Sequence, residues 1–530
     1  MSTRSKAKTH KKSWPILSFL FSRMTFFVVF LAIQIYILWA AFTFLDEKLA
    51  FSFFIFLSGA EILFILNQEG SSSFKIAWIF PIMIFPVFGA LFYLFIQLQT
   101  TVKRMRHRLD IEVEDSEDCM KTSATVMEQV KGEDRELKSI VSYLDGECQF
   151  PCYDNTSVQF FPMGEDFFPV FIEELKKAKK FIFMEFFIVA EGEIWGSILE
   201  VLKEKAKEGV QIKFMYDGTN SIKNLPFWYA DKLKSYGIDA KVFSPVRPAI
   251  SSYQNNRDHR KICVVDGTTA FTGGLNLADE YANIEIRFGV WKDTAAMFKG
   301  EAANSFTMLF LQMWNSSYRD MNTKEVRLPF PKYKYDPKYD RRDDTCKREG
   351  YVIPYGDNPL DSENVGENVY LSIINEARDY VHIMTPYLIL DDQTIHALCF
   401  AAKRGVDVKI IFPHIPDKPY AFWLGHSYYE ELIKNGVRIF EFEPGFVHAK
   451  EFISDGRKAV IGTINLDFRS LYLHFENACY LYKSPAIGDM ETDFEECLKK
   501  CIEIDMEAFS KMPPLKMLYG KLLRVLAPLF

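Results

Sequence analysis

The stretch Asp258-His-Arg-Lys-Ile-Cys-Val-Val265 decides the fold, because the stretch Val447-His-Ala-Lys-Glu-Phe-Ile453 repeats it. In each copy a histidine is followed by lysine, aspartate, glycine and asparagine at offsets of 2, 7, 14 and 17 residues. The repeated residues are His259, Lys261, Asp266, Gly273 and Asn276, and then His448, Lys450, Asp455, Gly462 and Asn465. At about 5% usage per residue type, such a coincidence arises in on the order of one window per million. The repeat predicts two pseudo-symmetric halves that meet at one shared cleft.

The surrounding elements repeat in the same order. Continuous apolar runs of strand length lie at 180–188 and 380–388, and each is followed by a helical pattern and a second apolar run, at 208–217 and 404–413. A buried strand, a covering helix and another buried strand form a βαβ unit. The sequence therefore predicts an α/β fold in which each half is a mostly buried mixed sheet flanked by helices.

Composition limits the classes of function. The chain has 530 residues, of which 48% are hydrophobic, and 63 basic residues against 70 acidic ones give a net charge of −7. A chain of this length predicts two or more domains. Its acidic balance argues against a nucleic-acid partner, which would need a local basic groove. The nine cysteines lack the spacing of a zinc site, and no disulfide scaffold is expected.

The first hundred residues predict an N-terminal helical transmembrane anchor. Met24–Leu45 and Ile76–Gln97 are uncharged runs of 22 residues, long enough to cross a hydrocarbon layer of about 30 Å. Between them, Leu49–Leu66 is apolar except for Glu61, whose charge costs on the order of 3 kcal/mol at mid-depth. Two or three spans therefore remain open. A cleaved signal peptide is disfavoured, because the first run is too long and no small-residue cleavage site follows it.

The basic residues that flank the anchor bear on its orientation. Those before Met24 place the N-terminus in the cytoplasm, and the stretch after Gln97 is basic as well. Two spans, or a re-entrant middle segment, reconcile both signals. We expect a multi-pass protein of the cell membrane with a cytoplasmic catalytic domain.

The predicted organisation has seven parts. They are a basic cytoplasmic N-terminus (1–23), the anchor (24–97), a linker (98–135), the first half (136–321), a connector (322–349), the second half (350–510) and a basic amphipathic C-terminal helix (511–530). For the last part, contact with an anionic bilayer and docking onto a domain are both open interpretations.

The repeated residues suit phosphoryl chemistry. On a strand, side chains at positions i and i+2 share a face, so each histidine and its lysine reach one ligand. Two imidazoles, two lysines and the amides of Asn276 and Asn465 can neutralise a phosphodiester. Because fixed ammonium groups favour phosphoryl oxygen over a divalent cation, neither a metal nor a cofactor is expected.

Transfer of a phosphoryl group needs a nucleophile on one side and a proton donor on the other. The two histidines can supply both roles, provided that a carboxylate orients each ring. Asp293, 34 residues after His259, and Glu476, 28 residues after His448, are the candidate orienting residues. Asp266 and Asp455 complete the candidate catalytic set, although each precedes a glycine and is also typical of a turn.

The motifs resemble the phospholipase D superfamily, whose mark is H-x-K-x4-D present twice, and within it the bacterial cardiolipin synthases. The resemblance spans nearly the whole chain and includes Asn256–Gly267, Gly273–Tyr281, Trp291-Lys-Asp293, Gly462–Ser470 and Phe475-Glu-Asn477. It implies two phospholipase D-like halves and the conversion of two phosphatidylglycerol molecules to cardiolipin and glycerol. It also implies that His259 is the nucleophile, which forms a phosphohistidine, and that His448 is the acid and base. His474 departs from the asparagine that is usual at its position.

Other functions remain open at this point. A phospholipase D that transfers the phosphatidyl group to water would use the same residues, because transfer against hydrolysis depends on the exclusion of water. Another phosphatidyltransferase, or a membrane-tethered nuclease, would use them as well. Phosphatidylglycerol and anionic membrane lipid are the expected partners, and the oligomeric state is not indicated.

Overall fold

The computed structural model describes residues 23–44, 46–68, 70–85, 89, 93, 100–220, 224–245, 256–317, 327–341 and 349–529. The chain divides into two compact units. One comprises residues 1–101 with 246–254, and the other comprises residues 102–245 with 255–530.

The smaller unit is helical where it is described. Its helices are α1 (Arg23–Phe44), α2 (Glu47–Leu66) and α3 (Ser72–Ile84). The carboxylate of Asp46 begins α2 by accepting a hydrogen bond from the Lys48 amide at 2.9 Å. In this described portion, and in the rest of the described chain, no helix has both the length and the apolar character of a membrane span. The predicted transmembrane anchor is therefore not confirmed, and the predicted N-terminus before Arg23 lies outside the described residues.

The first half of the larger unit forms a mixed sheet. Its strands are β1 (Ser157–Phe161), β2 (Phe181–Phe186), β3 (Gln211–Asp217), β4 (Asp239–Phe243), β5 (Lys261–Val265), β6 (Thr269–Gly273) and β8 (Ala295–Lys299); the short β7 (Val290–Lys292) lies outside this sheet. Over the described residues the order is β1-β8-β6-β5-β2-β3-β4. β2, β3 and β4 are parallel, and the neighbours on the other side are antiparallel.

The second half repeats this sheet. Its strands are β9 (Tyr351–Asp357), β10 (Tyr380–Met384), β11 (Asp407–Pro413), β12 (Arg438–Phe442), β13 (Gly445–Val447), β14 (Glu451–Ser454), β15 (Lys458–Gly462), β16 (Glu476–Tyr482) and β17 (Cys501–Ile504). Read from β9, the described order is β9-β16-β15-β14-β10-β11-β12-β17, which matches the first half except for the added edge strand β17. The predicted α/β fold of two mixed sheets flanked by helices is confirmed.

Helices cover the sheets and the connections. They are α4 (Thr100–Ser116), α5 (Ala124–Gly132), α6 (Arg135–Val141), α7 (Gly164–Lys176), α8 (Glu193–Lys207), α9 (Tyr229–Ser235), α10 (Ala303–Ser316), α11 (Val365–Glu376), α12 (Asp392–Lys403), α13 (Pro419–Lys434), α14 (Phe468–Tyr472), α15 (Ala486–Leu498), α16 (Met506–Ser510) and α17 (Pro514–Arg524). Every residue of β2 is buried, as expected for a strand covered on both faces. Every residue of α10 is buried too, which fits a helix enclosed within the larger unit.

The segments interpreted as linker and connector carry ordered structure. Residues 98–135 include α4 and α5. Glu112 of α4 is buried and accepts hydrogen bonds from Arg327, at 2.9 Å, and from Asn315, at 3.1 Å. These polar residues therefore pack against the body of the larger unit.

The C-terminal helix α17 docks onto α13. Lys521 and Arg524 pair with Glu430 at 3.2 Å and with Glu431 at 3.1 Å. Gly520 lies so close to Trp423 that an added Cβ would stand 2.1 Å from the Trp423 carbonyl oxygen. The basic residues Lys521 and Arg524 thus contact the second half, and Leu515, Leu518 and Leu522 remain exposed.

Candidate active site

Each histidine segment pairs with a segment of the opposite half. The His259 amide donates to the Phe475 carbonyl at 2.9 Å, and the His448 amide donates to the Lys292 carbonyl at 2.6 Å. Both acceptors directly precede a carboxylate residue, Glu476 in one case and Asp293 in the other. The second contact continues the two-stranded parallel pairing of β13 with β7. The same backbone arrangement therefore places a carboxylate of each half beside the histidine of the other.

The two histidine–carboxylate contacts are short. His259 Nδ1 lies 2.8 Å and 2.9 Å from the two carboxylate oxygens of Glu476. His448 Nδ1 lies 2.6 Å from Asp293 Oδ2. Because an ionised carboxylate only accepts, each Nδ1 carries the hydrogen, which leaves the Nε2 lone pair available. Asp293 and Glu476, the two candidate orienting residues, thus contact the histidines, and each serves the half to which it does not belong.

Burial sets the charge of both rings. It lowers the pKa of His259 to about 3, although the Glu476 carboxylate acts in the opposite direction. Burial and the positive charge of Lys450 hold the pKa of His448 well below its usual value. Burial alone would raise the pKa of Glu476, but the contact with His259 outweighs it and lowers that pKa. At neutral pH the site holds two neutral imidazoles next to anionic carboxylates.

Two buried lysines accompany the histidines. Lys261 Nζ donates to the His259 carbonyl at 2.7 Å, and Lys450 Nζ lies 2.8 Å from His448 Nδ1 and donates to the His448 carbonyl. Burial lowers the pKa of Lys261 to about 8 and that of Lys450 to about 7. The positive charge of Lys261 contributes to the lowered pKa of His448, and the Asp293 carboxylate acts to raise the pKa of Lys261. The residues of the two motifs therefore lie close enough to affect each other in one site.

Asp266 and Asp455 do not reach this site. Asp266 directly follows β5, five residues beyond Lys261, which is roughly 16 Å along a strand at 3.3 Å per residue. Its carboxylate accepts hydrogen bonds from the amides of Lys179, Lys180 and Phe181. Its φ of 55° fits the turn with Gly267 that the sequence also suggested.

Asp455 repeats this arrangement, with a φ of 55° and hydrogen bonds from the amides of Arg378, Asp379 and Tyr380. The structure therefore corrects the catalytic assignment of both aspartates. They hold the backbone at the start of β2 and β10.

The two predicted asparagines differ. Asn276 is occupied by protein contacts, since its amide donates to Tyr281 Oη at 2.7 Å and its oxygen accepts from the Ile188 amide at 2.9 Å. Asn465 is buried, and its Oδ1 has no hydrogen-bond partner among the described residues. Asn465 is thus the asparagine that is available to a ligand.

Aromatic side chains lie against the two histidines, a position that the sequence analysis did not assign to them. The ring of Phe187 lies 4.9 Å from that of His259, and Lys261 Nζ lies 5.6 Å from the same Phe187 ring. Trp291 and Tyr281 lie 5.4 Å and 5.6 Å from the His448 ring. Phe187 directly follows β2. The sequence could therefore have placed it near the carboxyl ends of the parallel strands, where the site lies.

The chain is similar to known families and proteins. Residues 171–314 and 370–498 match the sequence family described as Cardiolipin synthase, PLD-like domain, and residues 53–97 match the family described as Phospholipase_D-nuclease N-terminal. The chain is 45% identical over 469 residues to an uncharacterised protein of Streptococcus mutans, covering 88% of this chain and 99% of that protein.

Two similar proteins carry functional names. A cardiolipin synthase of Geobacillus kaustophilus is 33% identical over 457 residues, covering 86% of this chain and 88% of that protein. Cardiolipin synthase 2 of Bacillus anthracis is 33% identical over 479 residues, covering 88% of each. A solved phosphatidylserine synthase of Haemophilus influenzae has a TM-score of 0.52 and 17% identity, covering 70% of this chain and 94% of that chain. The last likeness shows the fold alone.

Proposed function

Because the chain belongs to the cardiolipin synthase family of phospholipase D-like enzymes, we propose that it transfers a phosphatidyl group between two phosphatidylglycerol molecules. The family makes the chain a phosphatidyltransferase. The proposed products are cardiolipin and free glycerol. The observation that carries the proposal is the pair of neutral histidines, each held by a buried carboxylate of the opposite half.

The first half-reaction forms a covalent intermediate. His259 Nε2 donates its lone pair to phosphorus, and the bond from phosphorus to the headgroup glycerol oxygen breaks. As the phosphodiester anion binds, it restores the proton affinity of His448, whose proton goes to the leaving glycerol oxygen. The positive charge that develops on the His259 ring is offset by Glu476.

The second half-reaction reverses these steps with another alcohol. The headgroup hydroxyl of a second phosphatidylglycerol gives its proton to His448, and its oxygen attacks phosphorus. The bond between phosphorus and His259 then breaks, which returns the neutral imidazole. Lys261 and Lys450 stabilise the charge on the phosphoryl oxygens at both steps, and the NH2 group of Asn465 donates a further hydrogen bond to the phosphate.

The anchor belongs to the proposal as well. The apolar segments between residues 24 and 97 attach the enzyme to the membrane in which its substrate resides, with the active site in the cytoplasm. The match of residues 53–97 to the Phospholipase_D-nuclease N-terminal family supports this assignment.

Separation of the products tests the reaction. The detergent-purified chain receives phosphatidylglycerol labelled both in its acyl chains and in its headgroup glycerol, and the lipids and glycerol are resolved. Cardiolipin and free glycerol in equal amounts are expected. Phosphatidic acid as the sole lipid product would replace the proposal with a phospholipase D hydrolase, and cleavage of nucleic acid without lipid turnover would replace it with a nuclease.

A further inference from the structure

His474 is a third histidine next to the proposed nucleophile. Its ring centroid lies 5.6 Å from that of His259, and its Nδ1 lies 3.8 Å from Glu476 Oε1, which is longer than a hydrogen bond. The His474 side chain is 10% exposed. Both ring nitrogens are buried, and neither has a hydrogen-bond partner within the part of the chain that the structure describes. Because buried polar atoms in proteins are usually hydrogen-bonded, these two nitrogens are available to a ligand.

We propose that His259, His474 and Glu476 bind a divalent transition metal, of which zinc is the best match. One ligand atom from each of these residues lies within 4.8 Å of the other two. Two histidines and one glutamate, completed by water, form a known tetrahedral zinc set, and imidazole nitrogen favours zinc, copper and nickel over magnesium and calcium.

Two of the three donor separations need only small changes to suit a metal. Zinc–nitrogen bonds of about 2.0–2.1 Å place neighbouring donors roughly 3.3 Å apart in a tetrahedron. His259 Nδ1 and Glu476 Oε1, now 2.8 Å apart, would separate by about half an ångström. His474 Nδ1 would approach Glu476 Oε1 from 3.8 Å by a similar amount.

Protons and charges balance on binding. The hydrogen on His259 Nδ1 is exchanged through solvent to Nε2, so the ring stays neutral, and the metal takes its place between Nδ1 and the Glu476 carboxylate. Glu476 Oε2 accepts a hydrogen bond from Thr463, so Oε1 is the oxygen left for the metal. The Nζ of Lys261 donates to the His259 carbonyl oxygen at 2.7 Å, so this ammonium group is already hydrogen-bonded to the backbone beside the proposed ligands.

The consequence for catalysis rests on the proposed function. Once Nδ1 donates to a metal, Nε2 of His259 carries the hydrogen and has no lone pair to give to phosphorus, and Glu476 no longer offsets the charge of a phosphohistidine. Metal binding and phosphatidyl transfer therefore exclude each other. The site is inhibitory, in an enzyme whose proposed reaction needs no metal.

A second cluster provides a matched control. His382 Nδ1 lies 2.8 Å from Glu491 Oε1, and Glu495 completes a group of three possible donors. Lys409 Nζ lies 3.5 Å from Glu495 and competes with a cation there. Because this group offers one histidine rather than two, it should bind zinc more weakly.

Direct binding tests the site without reference to activity. The metal-free, detergent-purified full chain is titrated with ZnCl2 by calorimetry and with CoCl2 by visible absorption, as wild type, His474→Asn and His382→Asn. We expect one zinc per wild-type chain, at least tenfold weaker binding for His474→Asn, and wild-type affinity for His382→Asn. Equal binding by wild type and His474→Asn, or loss of binding in His382→Asn alone, would overturn the proposal.

Two further measurements test the site independently of the titration. In zinc-soaked crystals of the wild type, the anomalous peak should lie within bonding distance of a His474 nitrogen, and a peak elsewhere would contradict the site even if His474→Asn folds poorly. Where transfer is measurable, half-inhibition should need at least tenfold more zinc for His474→Asn, relative to each protein's own metal-free rate. A chain without phosphatidyl transfer would refute the proposed function, whereas calorimetry would still decide the metal site.

Discussion

Glu476 holds His259 across the boundary between the two halves of the molecule. The carboxylate lies 2.8 Å from Nδ1 of the imidazole, although 217 residues separate the two in sequence. Asp293 and His448 reproduce the contact in the opposite direction at 2.6 Å, over a separation of 155 residues. Neither half therefore contains both members of a histidine–carboxylate pair of the candidate active site.

The first prediction concerns this carboxylate. Glu476→Gln keeps the size of the side chain but removes the negative charge that offsets a phosphohistidine and fixes the tautomer of His259. We expect kcat to fall by about ten-thousandfold, the loss seen when a histidine-orienting carboxylate becomes an amide. Initial rates of cardiolipin formation measure the effect, with replacement of the exposed His396 by alanine as the control. Wild-type kcat in Glu476→Gln would remove the carboxylate from the mechanism.

The second prediction separates the roles of the two histidines. His259→Ala and His448→Ala should each abolish turnover of phosphatidylglycerol. With a phosphatidyl ester of p-nitrophenol, whose leaving group needs no proton, His448→Ala should still form a covalent adduct, and His259→Ala should not. Mass spectrometry of the protein after base treatment, which preserves phosphohistidine, would locate the adduct. Labelling of position 448 in His259→Ala would reverse the assignment.

The sequence predicts features that depend on spacing along the chain, but not features that depend on how the two sheets dock. The repeated offsets predicted the two halves, because insertions between motif residues would have broken the register. Asp293 and Glu476 were predicted as orienting residues, but their exchange between halves depends on how the two sheets dock, which no local pattern encodes.

Asp266 and Asp455 show the opposite case. They share the motif with the histidines, yet the length of the strand places them away from the site. The motif therefore contains both residues that line the site and residues that stabilise the fold. His474 was noted only as a departure from a pattern. Its two unpartnered nitrogens depend on the packing around it, which the sequence does not contain.

The third prediction is a bell-shaped dependence of kcat/KM on pH. Burial raises the pKa of Asp293 to about 6, so below that pH the protonated carboxyl no longer supports the proton on His448. Burial lowers the pKa of Lys450 to about 7, so above that pH one cation is lost from the phosphate site. The acid limb should therefore lie near pH 6, and the alkaline limb near pH 7 to 8, where Lys261 also titrates.

Lys450→Arg provides the check on this assignment. Arginine stays charged throughout the range, so the limb that Lys450 contributes should disappear even if the changed geometry lowers the rate. Rates in buffers of constant ionic strength between pH 5 and pH 9 would measure the limbs. An unchanged alkaline limb in Lys450→Arg would assign it to another group.

The fourth prediction concerns stability rather than chemistry. Asp266→Ala removes three hydrogen bonds from backbone amides to a fully buried carboxylate and places alanine at a φ of 55°. A loss of about 3 kcal/mol of unfolding free energy is expected, seen as a fall of several degrees in the melting temperature. Asp266→Asn keeps one acceptor oxygen and tolerates this φ, so its fall should be smaller. A loss of kcat in folded Asp266→Asn comparable to that of Glu476→Gln would return Asp266 to the catalytic set.

The fifth prediction concerns the C-terminal helix. Gly520 allows α17 to approach α13 so closely that a Cβ at this position would stand 2.1 Å from the Trp423 carbonyl oxygen. Gly520→Leu should therefore separate the helices, even though leucine favours an isolated helix over glycine by about 1 kcal/mol. Trypsin should then cleave rapidly after Lys516 and Lys521, while Gly488→Leu should not change the cleavage, because no atom lies within 4 Å of an added Cβ at position 488. Equal resistance to trypsin in both variants would show that the contact with Trp423 does not hold the helix, which would leave its ion pairs with Glu430 and Glu431 as the contacts to test next.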